Sequence, residues 1–455
     1  MHQAIQTVLG ARTGARYTTG GLLAEMRLSD QKQEHTGSYY AASVNEVTDY
    51  PVLEGKHTAD ICVIGAGFTG VATALTLAER GFSVALVEGN RVGWGASGRN
   101  GGQIINGISG LSRIKKQRGP EFDDMIWDLR WRGNDIIYER VEKYGIECDI
   151  KGGFLEVAAK PSHVSYFDDY AAEREARDFQ YRYEVWDRNK TSEMLGTDAF
   201  YGGFICYRDG HLHPLNLCIG EARAAAGLGV QIFEQSPVTR IEHGSKPKVH
   251  TANGVVEANS VVLAGNAYSL LEPKTLSNLV FPAGSYIIGT EPLDKATTER
   301  INPLDIAVCD TNEVVDYYRL SADKRLLYGG ACNYSGRNPA SIKSYILPRL
   351  KRVYPELQDV RIDYEWGGKI GIVLNRVPIV GRIHDNVYYC QGYSGHGVTA
   401  THVMGEVMAD AVAGTMERYD LFADMSHFRI PGTQWIGNQI IALGMMYYKM
   451  KDKLA

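Results

Sequence analysis

The feature that most constrains this chain is a glycine-rich turn set between a strand and a helix, Gly65-Ala66-Gly67-Phe68-Thr69-Gly70. Before it, Ile61-Cys62-Val63-Ile64 is short, apolar and rich in β-branched residues, as expected of a parallel strand buried on both faces. After it, Val71, Ala74, Leu75 and Ala78 recur at helical spacing, which predicts a helix over 69–80 stopped by Gly81. Residues 82–87 form a second strand ending in Glu88, eighteen residues after Gly70. Fifty glycines make a lone GxGxxG a weak signal. Inside a βαβ unit of roughly 30 residues the pattern is specific for a dinucleotide. Gly65 permits the tight turn, Gly67 lets a pyrophosphate approach the backbone, and Gly70 lets helix and strand pack closely. The N–H groups and dipole of the helix then face the anion. Glu88 accepts from the adenosine ribose hydroxyls, and its charge disfavours a 2′-phosphate.

The fingerprint alone does not choose between FAD and NAD, and three further segments bear on that choice. Arg91 to Gln103, RVGWGASGRNGGQ, starts three residues after Glu88 and is rich in glycine and small polar residues. Such a loop can lie flat on a ring system and offer amides to it, for which an NAD dehydrogenase has no use there. Val261 to Tyr268 is a buried strand ending in small residues around Gly265, where a cofactor can pass close by. Gly392 to Thr399 is a glycine-rich turn leading into a helix predicted over 398–413. Its N-terminus suits the negative charge that develops at the pyrimidine edge of a reduced flavin. Together they select FAD.

At 455 residues, two or three lobes are expected. A net charge of −5 and the absence of any basic block exclude a nucleic-acid partner on electrostatic grounds. Seven scattered cysteines form no CxxC pair, so neither a disulfide framework nor a metal site is expected, and a reducing cytoplasm fits. There is no apolar run of about 20 residues, which argues against membrane insertion. Residues 1–25 read as a targeting segment, an extension, or a start set too early with Met26 as the true one.

The expected fold class is α/β: a Rossmann-like FAD-binding domain with a second α+β substrate domain built on a mostly antiparallel sheet. The FAD-binding domain takes 46–150, 205–275 and 376–430, and the substrate domain 151–204 and 276–375. Residues 1–45 are expected to be an N-terminal extension. Residues 431–455 form a helical tail, read first as packed and second as lying on a membrane surface. Helices are expected over 120–145, 216–226 and 341–354, and Asn253-Gly254 is expected to turn a hairpin, because both residues tolerate positive φ.

In this order, GxGxxG, the terminal Glu, GxSGRNGGQ, LAGNAY and GYSGHGVT resemble the D-amino-acid-oxidase-like superfamily. Its members are FAD-dependent amine and amino-acid oxidoreductases related to glycine oxidase and monomeric sarcosine oxidase. Further segments, HTGSYYAAS at 35–43, DGHLHPLNL at 209–217, VVDYYRL at 314–320 and RLLYGG at 325–330, are closer to a branch that oxidises a γ-glutamyl-capped diamine in putrescine catabolism. The resemblance implies that Gly65, Gly67, Gly70 and Glu88 hold the ADP half, with Ala66, Phe68 and Thr69 between them. It places Ser97, Arg99, Asn100, Gly101, Gly102 and Gln103 along the isoalloxazine, and the Val238 backbone at the adenine. Gly265 comes near the cofactor, and Gly395, His396, Gly397 and Val398 meet the pyrimidine end. Sarcosine oxidase ties its flavin to a cysteine in the stretch comparable to 367–376. No cysteine stands there in this chain, so FAD is expected to be noncovalent.

The chemistry expected is oxidation of an amine to an imine, hydrolysed to an aldehyde with release of ammonia. Oxygen or another acceptor takes the electrons, oxygen giving peroxide. Another amine or amino acid as substrate, or a flavin-binding sensor with little turnover, are the competing readings. Tyr317, Tyr318 and Trp366 are candidate aromatic walls for a cationic amine. Arg319 is a candidate partner of a substrate carboxylate. His396, in the flavin-facing loop, is the best-placed histidine for catalysis, whereas His211 and His213 read as capping or packing residues.

Overall fold

The computed structural model describes residues 33–454, with side chains to residue 446. The readings of residues 1–25 therefore lie outside the described residues. Two sheets organise the chain. The first runs in the order Ile379–Ile383, Val387–Gln391, Gly254–Leu263, Gly55–Ile64, Val84–Val87, Gln231–Phe233. Its four inner pairings are parallel, for example Val63 with Val262 and with Leu86, and Val262 with Tyr388. Only the edge strand Ile379–Ile383 pairs antiparallel along this path. Helices Phe68–Glu79, Pro214–Gly227 and Val398–Val412 cover the face that carries Ile61, Val63, Leu86 and Val262, and Ile241, Val249, Leu276 and Val280 pack on the other, against Cys62, Ile64, Val87 and Leu263. Gly405 is what lets the last of these helices approach the first: a Cβ there would stand 2.6 Å from Ala72 Cβ.

The second sheet runs Ile362–Ile372, Phe281–Pro292, Arg325–Asn333, Asp316–Leu320, Ala307–Asp310, Lys151–Val157, Gly203–His211, Gln103–Ile104, with Tyr183–Trp186 also on Gly203–His211. Every pairing is antiparallel except that of Ala307–Asp310 with Lys151–Val157. Leu155, Val157, Val308, Tyr318, Leu320 and Leu326 form a core on one face, under the helix Ile342–Val353. The opposite face carries Tyr317, Leu327, Ile287 and Trp366 and packs on the first lobe. The strand Gly203–His211 lies wholly in this second sheet, whereas a boundary at residue 205 would give most of it to the first.

Two local expectations change, and a third, the packed terminal helix, is met. The hairpin at residues 251–254 forms, with His250 opposite Val255, but neither Asn253 nor Gly254 takes positive φ. Gly254 is required there by close approach, since a Cβ would come within 2.8 Å of Leu53 O. The segment expected as an extension enters the core by residue 39. Ser38 caps the short helix Tyr39–Ala42, and Tyr40 is fully buried with its ring 5.3 Å from Trp366. The terminal helix Gln434–Leu454 packs Asn438, Ile441 and Met445 against Phe281 and Tyr334, while Trp435, Ile440 and Leu443 stay exposed. Among the described residues no helix is long and apolar enough to cross a membrane.

Candidate flavin and substrate site

The fingerprint turn has the geometry its glycines demand. Gly65 takes φ +102°, and a Cβ on Gly70 would stand 1.8 Å from Gly65 O, so only glycine brings the helix this close to the strand. A Cβ on Gly67 would meet Ser97 Oγ at 2.9 Å, which ties the first glycine loop to the second. Ser97 Oγ in turn accepts from the Phe68 N–H at 2.9 Å. Glu88 accepts from the Ala66 N–H at 2.6 Å and the Asn90 N–H at 2.8 Å, one on each carboxylate oxygen. Burial pushes its carboxyl above the usual value, against the pull of those two N–H groups. Each oxygen keeps a lone pair for a ribose hydroxyl. The chain toward Val238 leaves the end of the neighbouring strand Gln231–Phe233, with the Ser236 N–H on Glu88 O at 2.8 Å. Gly265 lies across from Gly65, whose Cβ would come within 3.2 Å of the Gly265 Cα.

The 91–103 loop is held by its own side chains. Asn100 donates to Ala96 O and Ser97 O and accepts from the Gly102 N–H at 2.8 Å. Arg99 donates to Trp94 O at 2.8 Å and lies over the Trp94 ring. Gln103 reaches across to Val308 O at 3.0 Å. At its start Arg91 pairs with the fully buried Glu234 at 2.9 Å, and Glu234 also accepts from the Val92 and Tyr50 N–H groups and the Thr48 hydroxyl. Sequence reasoning missed Glu234, because a lone acid after a strand carries no pattern.

The third loop closes on the other two. Gly395 takes φ +91°, Gly397 caps the helix Val398–Val412, and the Thr399 hydroxyl donates to Ile105 O at 2.5 Å. His396 Nε2 donates to Asn106 O at 3.0 Å, and burial pushes its pKa down. Because that carbonyl only accepts, Nε2 carries the proton of a neutral ring. Asn266, beside Gly265, accepts from the Gly392 N–H at 3.0 Å, and the Tyr268 hydroxyl accepts from the Lys369 N–H at 2.9 Å. Neither was singled out from sequence, although both lie in the LAGNAY segment.

Alternation along Asp316–Leu320 sorts the candidates there. Tyr317 and Arg319 face the first lobe, and Tyr318 faces the second-lobe core. The Tyr317 ring closes on Gly101 and Gly329, at either of which a Cβ would come within 2.6 Å of it. Tyr318 is 2% exposed, hydrogen-bonded to the Tyr354 hydroxyl at 3.0 Å and stacked on Tyr328, so it walls no site. Arg319 is not available to a substrate carboxylate: it donates to Gly101 O, Leu212 O, Leu320 O and the Tyr40 hydroxyl and is 2% exposed. Trp366, 1% exposed, donates from Nε1 to Arg99 O at 3.0 Å and supports the loop from behind. His213 caps the helix Pro214–Gly227 by accepting from the Asn216 N–H, and His211 Nε2 donates to Asp305 O at 2.7 Å.

The two lobes thus bring three distant glycine-rich segments to one place, with a buried acid, Glu88, at the end of the second strand. This is an α/β flavoprotein architecture. A family model described as FAD dependent oxidoreductase matches residues 60–411, and the chain belongs to that family. It is 40% identical over 424 residues to the gamma-glutamylputrescine oxidoreductase of Escherichia coli, covering 92% of this chain and 99% of that protein. It is 41% identical to the probable oxidoreductase OrdL of Haemophilus influenzae, over 92% of this chain and 98% of that one. In fold it is similar to glycine oxidase from Geobacillus kaustophilus, with a TM-score of 0.67 at 21% identity, covering 83% of this chain and all of that one. The chain is therefore an FAD-dependent oxidoreductase.

Proposed function

We propose that this enzyme oxidises the primary amine of a γ-glutamyl-capped diamine, gamma-glutamylputrescine being the substrate best supported. The 40% identity to the Escherichia coli enzyme across nearly the whole of both chains carries this reading. When bound, FAD supplies the two-electron oxidation of the amine carbon–nitrogen bond. The CH2–NH2 end loses two electrons and two protons to become an imine, and water then converts it to the aldehyde and ammonia. Oxygen as acceptor gives hydrogen peroxide.

The residues support this division of labour. Gly65, Gly67, Gly70 and Glu88 would hold the ADP half, with Ala66, Phe68 and Thr69 lining the turn and the Val238 backbone at the adenine. Ser97, Arg99, Asn100, Gly101, Gly102 and Gln103 would lie along the ring system, Gly265 beside it, and Gly395, His396, Gly397 and Val398 at its far end. Arg319 and Trp366 act as positioning residues, because both hold loop carbonyls. Tyr317 is the aromatic wall that remains on this side, half-buried against Gly101. A neutral His396 suits polarising or steering substrate better than bearing charge. No strong base is required, because a desolvated, correctly placed amine gives up its proton within the pocket. We further propose that FAD is noncovalent, since Gly367–Arg376 holds no cysteine, and that the enzyme works in the cytoplasm.

An aerobic peroxide assay over a panel of amines tests the reading. Turnover of gamma-glutamylputrescine with little of free putrescine is expected. Turnover of glycine, sarcosine or D-amino acids alone would replace it with the other oxidase reading.

A further inference from the structure

One row of side chains crosses the flavin-facing side of the second sheet beyond Tyr317. Tyr317 stands opposite Cys309, Cys309 opposite Glu156, and Glu156 opposite Phe204, on four adjacent strands. Leu155, Val157, Val308 and Tyr318, their chain neighbours, all point into the core on the other side, so alternation sends these four toward the first lobe. Glu156, Cys309 and Tyr317 are each half-buried, where the alternate positions are buried. The Glu156 side chain makes no hydrogen bond or ion pair with any described residue.

A cation sits beside it. The Arg174 guanidinium lies 4.5 Å over the ring of Phe204, the residue paired with Glu156, and Arg174 is 2% exposed. One of its nitrogens donates to Tyr170 O, but Nε has no partner. A buried donor without an acceptor costs about 1–3 kcal/mol unless something fills the role. Arg130 flanks the pair, committed to Glu173 and Asn106. A lone carboxylate and an unsatisfied guanidinium side by side are complementary to one head group that carries both charges.

We propose that Glu156 and Arg174 form the head-group subsite for a zwitterionic α-amino acid end of the substrate, Glu156 receiving its ammonium and Arg174 its carboxylate. This rests on the γ-glutamyl diamine reading and adds the determinant of its specificity. Spacing agrees with it. Two steps across the sheet, from Tyr317 at the glycine loop to Glu156, span about 10 Å. An extended γ-glutamyl diamine runs about 10 Å from its reacting carbon to its α-carbon, at roughly 1.2 Å per bond. Free putrescine has no group to place there.

The test compares the wild-type holoenzyme with Glu156→Gln and Arg174→Lys. Substrates are gamma-glutamylputrescine and N-acetylputrescine, which keeps the amine and amide but lacks the charged head. Calorimetric binding of γ-glutamylbutylamide, which keeps the head and lacks the reactive amine, reads affinity apart from turnover. Glu156→Gln is expected to raise KM for gamma-glutamylputrescine and Kd for γ-glutamylbutylamide at least tenfold, with kcat within about threefold and N-acetylputrescine unaffected. Arg174→Lys should do the same if its thermal midpoint shows that it folds, and the isosteric Glu156→Gln decides the matter if it does not. Unchanged KM, Kd and selectivity in Glu156→Gln would overturn the subsite while leaving the substrate reading intact. A wild-type enzyme that turns over neither compound and binds no γ-glutamylbutylamide would overturn both.

Discussion

The hydroxyls of Tyr393 and Thr69 share a hydrogen bond of 2.7 Å although 324 residues separate them. Tyr393 belongs to the last glycine-rich loop and Thr69 to the fingerprint helix, so this bond joins the two ends of the expected FAD site directly. Tyr393 also contacts Cys390 Sγ at 3.2 Å. Replacing Tyr393 with Phe leaves the buried Thr69 hydroxyl without this partner, a cost of about 1–3 kcal/mol. FAD affinity of the apoprotein is expected to fall roughly 5- to 150-fold by that figure, read by quenching of flavin fluorescence on titration. Unaltered affinity would show that the junction forms without the bond.

The glycines of the fingerprint are expected to differ in kind. Gly70→Ala places a methyl 1.8 Å from a backbone oxygen that has nowhere to move. Gly67→Ala meets only a hydroxyl at 2.9 Å, the end of the Ser97 side chain. Gly70→Ala should therefore fail to accumulate as folded protein. Gly67→Ala should fold with an apoprotein melting temperature close to wild type yet bind FAD weakly. Thermal melts with and without FAD separate the two.

Arg319 distinguishes holding a loop from binding a substrate. Its donors go to three carbonyls and one hydroxyl. Arg319→Met leaves those carbonyls unsatisfied, and about 2–4 kcal/mol of stability is expected to be lost. Denaturant unfolding measures that loss. The ratio of kcat/KM for gamma-glutamylputrescine over N-acetylputrescine should stay put, and a collapse of that ratio would restore Arg319 as the carboxylate partner.

Glu156 gives the pH dependence a sign. Burial pushes its carboxyl up to about 7, against Arg174 and Arg130, with Asp209 and Asp310 adding to the rise. Tyr170 and Cys309 face the same group. The carboxylate is the form that accepts an ammonium, so kcat/KM for the charged-head substrate should rise between pH 6 and 8, and Glu156→Gln should flatten that rise. Stability runs the other way. The unfolded chain ionises this acid first, so its contribution is whole below the ordinary carboxylate value and is lost as pH climbs to about 7. A wild-type profile that is flat across this window would contradict the assignment.

Much of the first lobe was legible because its signals are local. The strand before Gly65, the helix after it and the acid at position 88 each follow from spacing alone, and the backbone realises the helix and the second strand within one or two residues, the first strand starting six residues earlier than Ile61, at Gly55. The second sheet was harder to read. Lys151–Val157 and Gly203–His211 are mid-sheet strands packed on both faces by different partners, so neither shows clean alternation, and two α-helices and an edge strand separate them in sequence. The arginine at 319 looked free because sequence cannot show that Gly101 O, Leu212 O and Leu320 O converge on it. Likewise Tyr317 and Tyr318 are equivalent in sequence, and only the direction of the pleat separates wall from core.

The most direct test of the whole account is anaerobic titration of the purified holoenzyme with gamma-glutamylputrescine, following the flavin band near about 450 nm. The account predicts a yellow protein whose band bleaches in full with this amine, barely responds to putrescine, and whose FAD leaves with the supernatant after acid precipitation. A colourless protein that takes up no FAD, or a yellow one that the amine does not bleach, would contradict it.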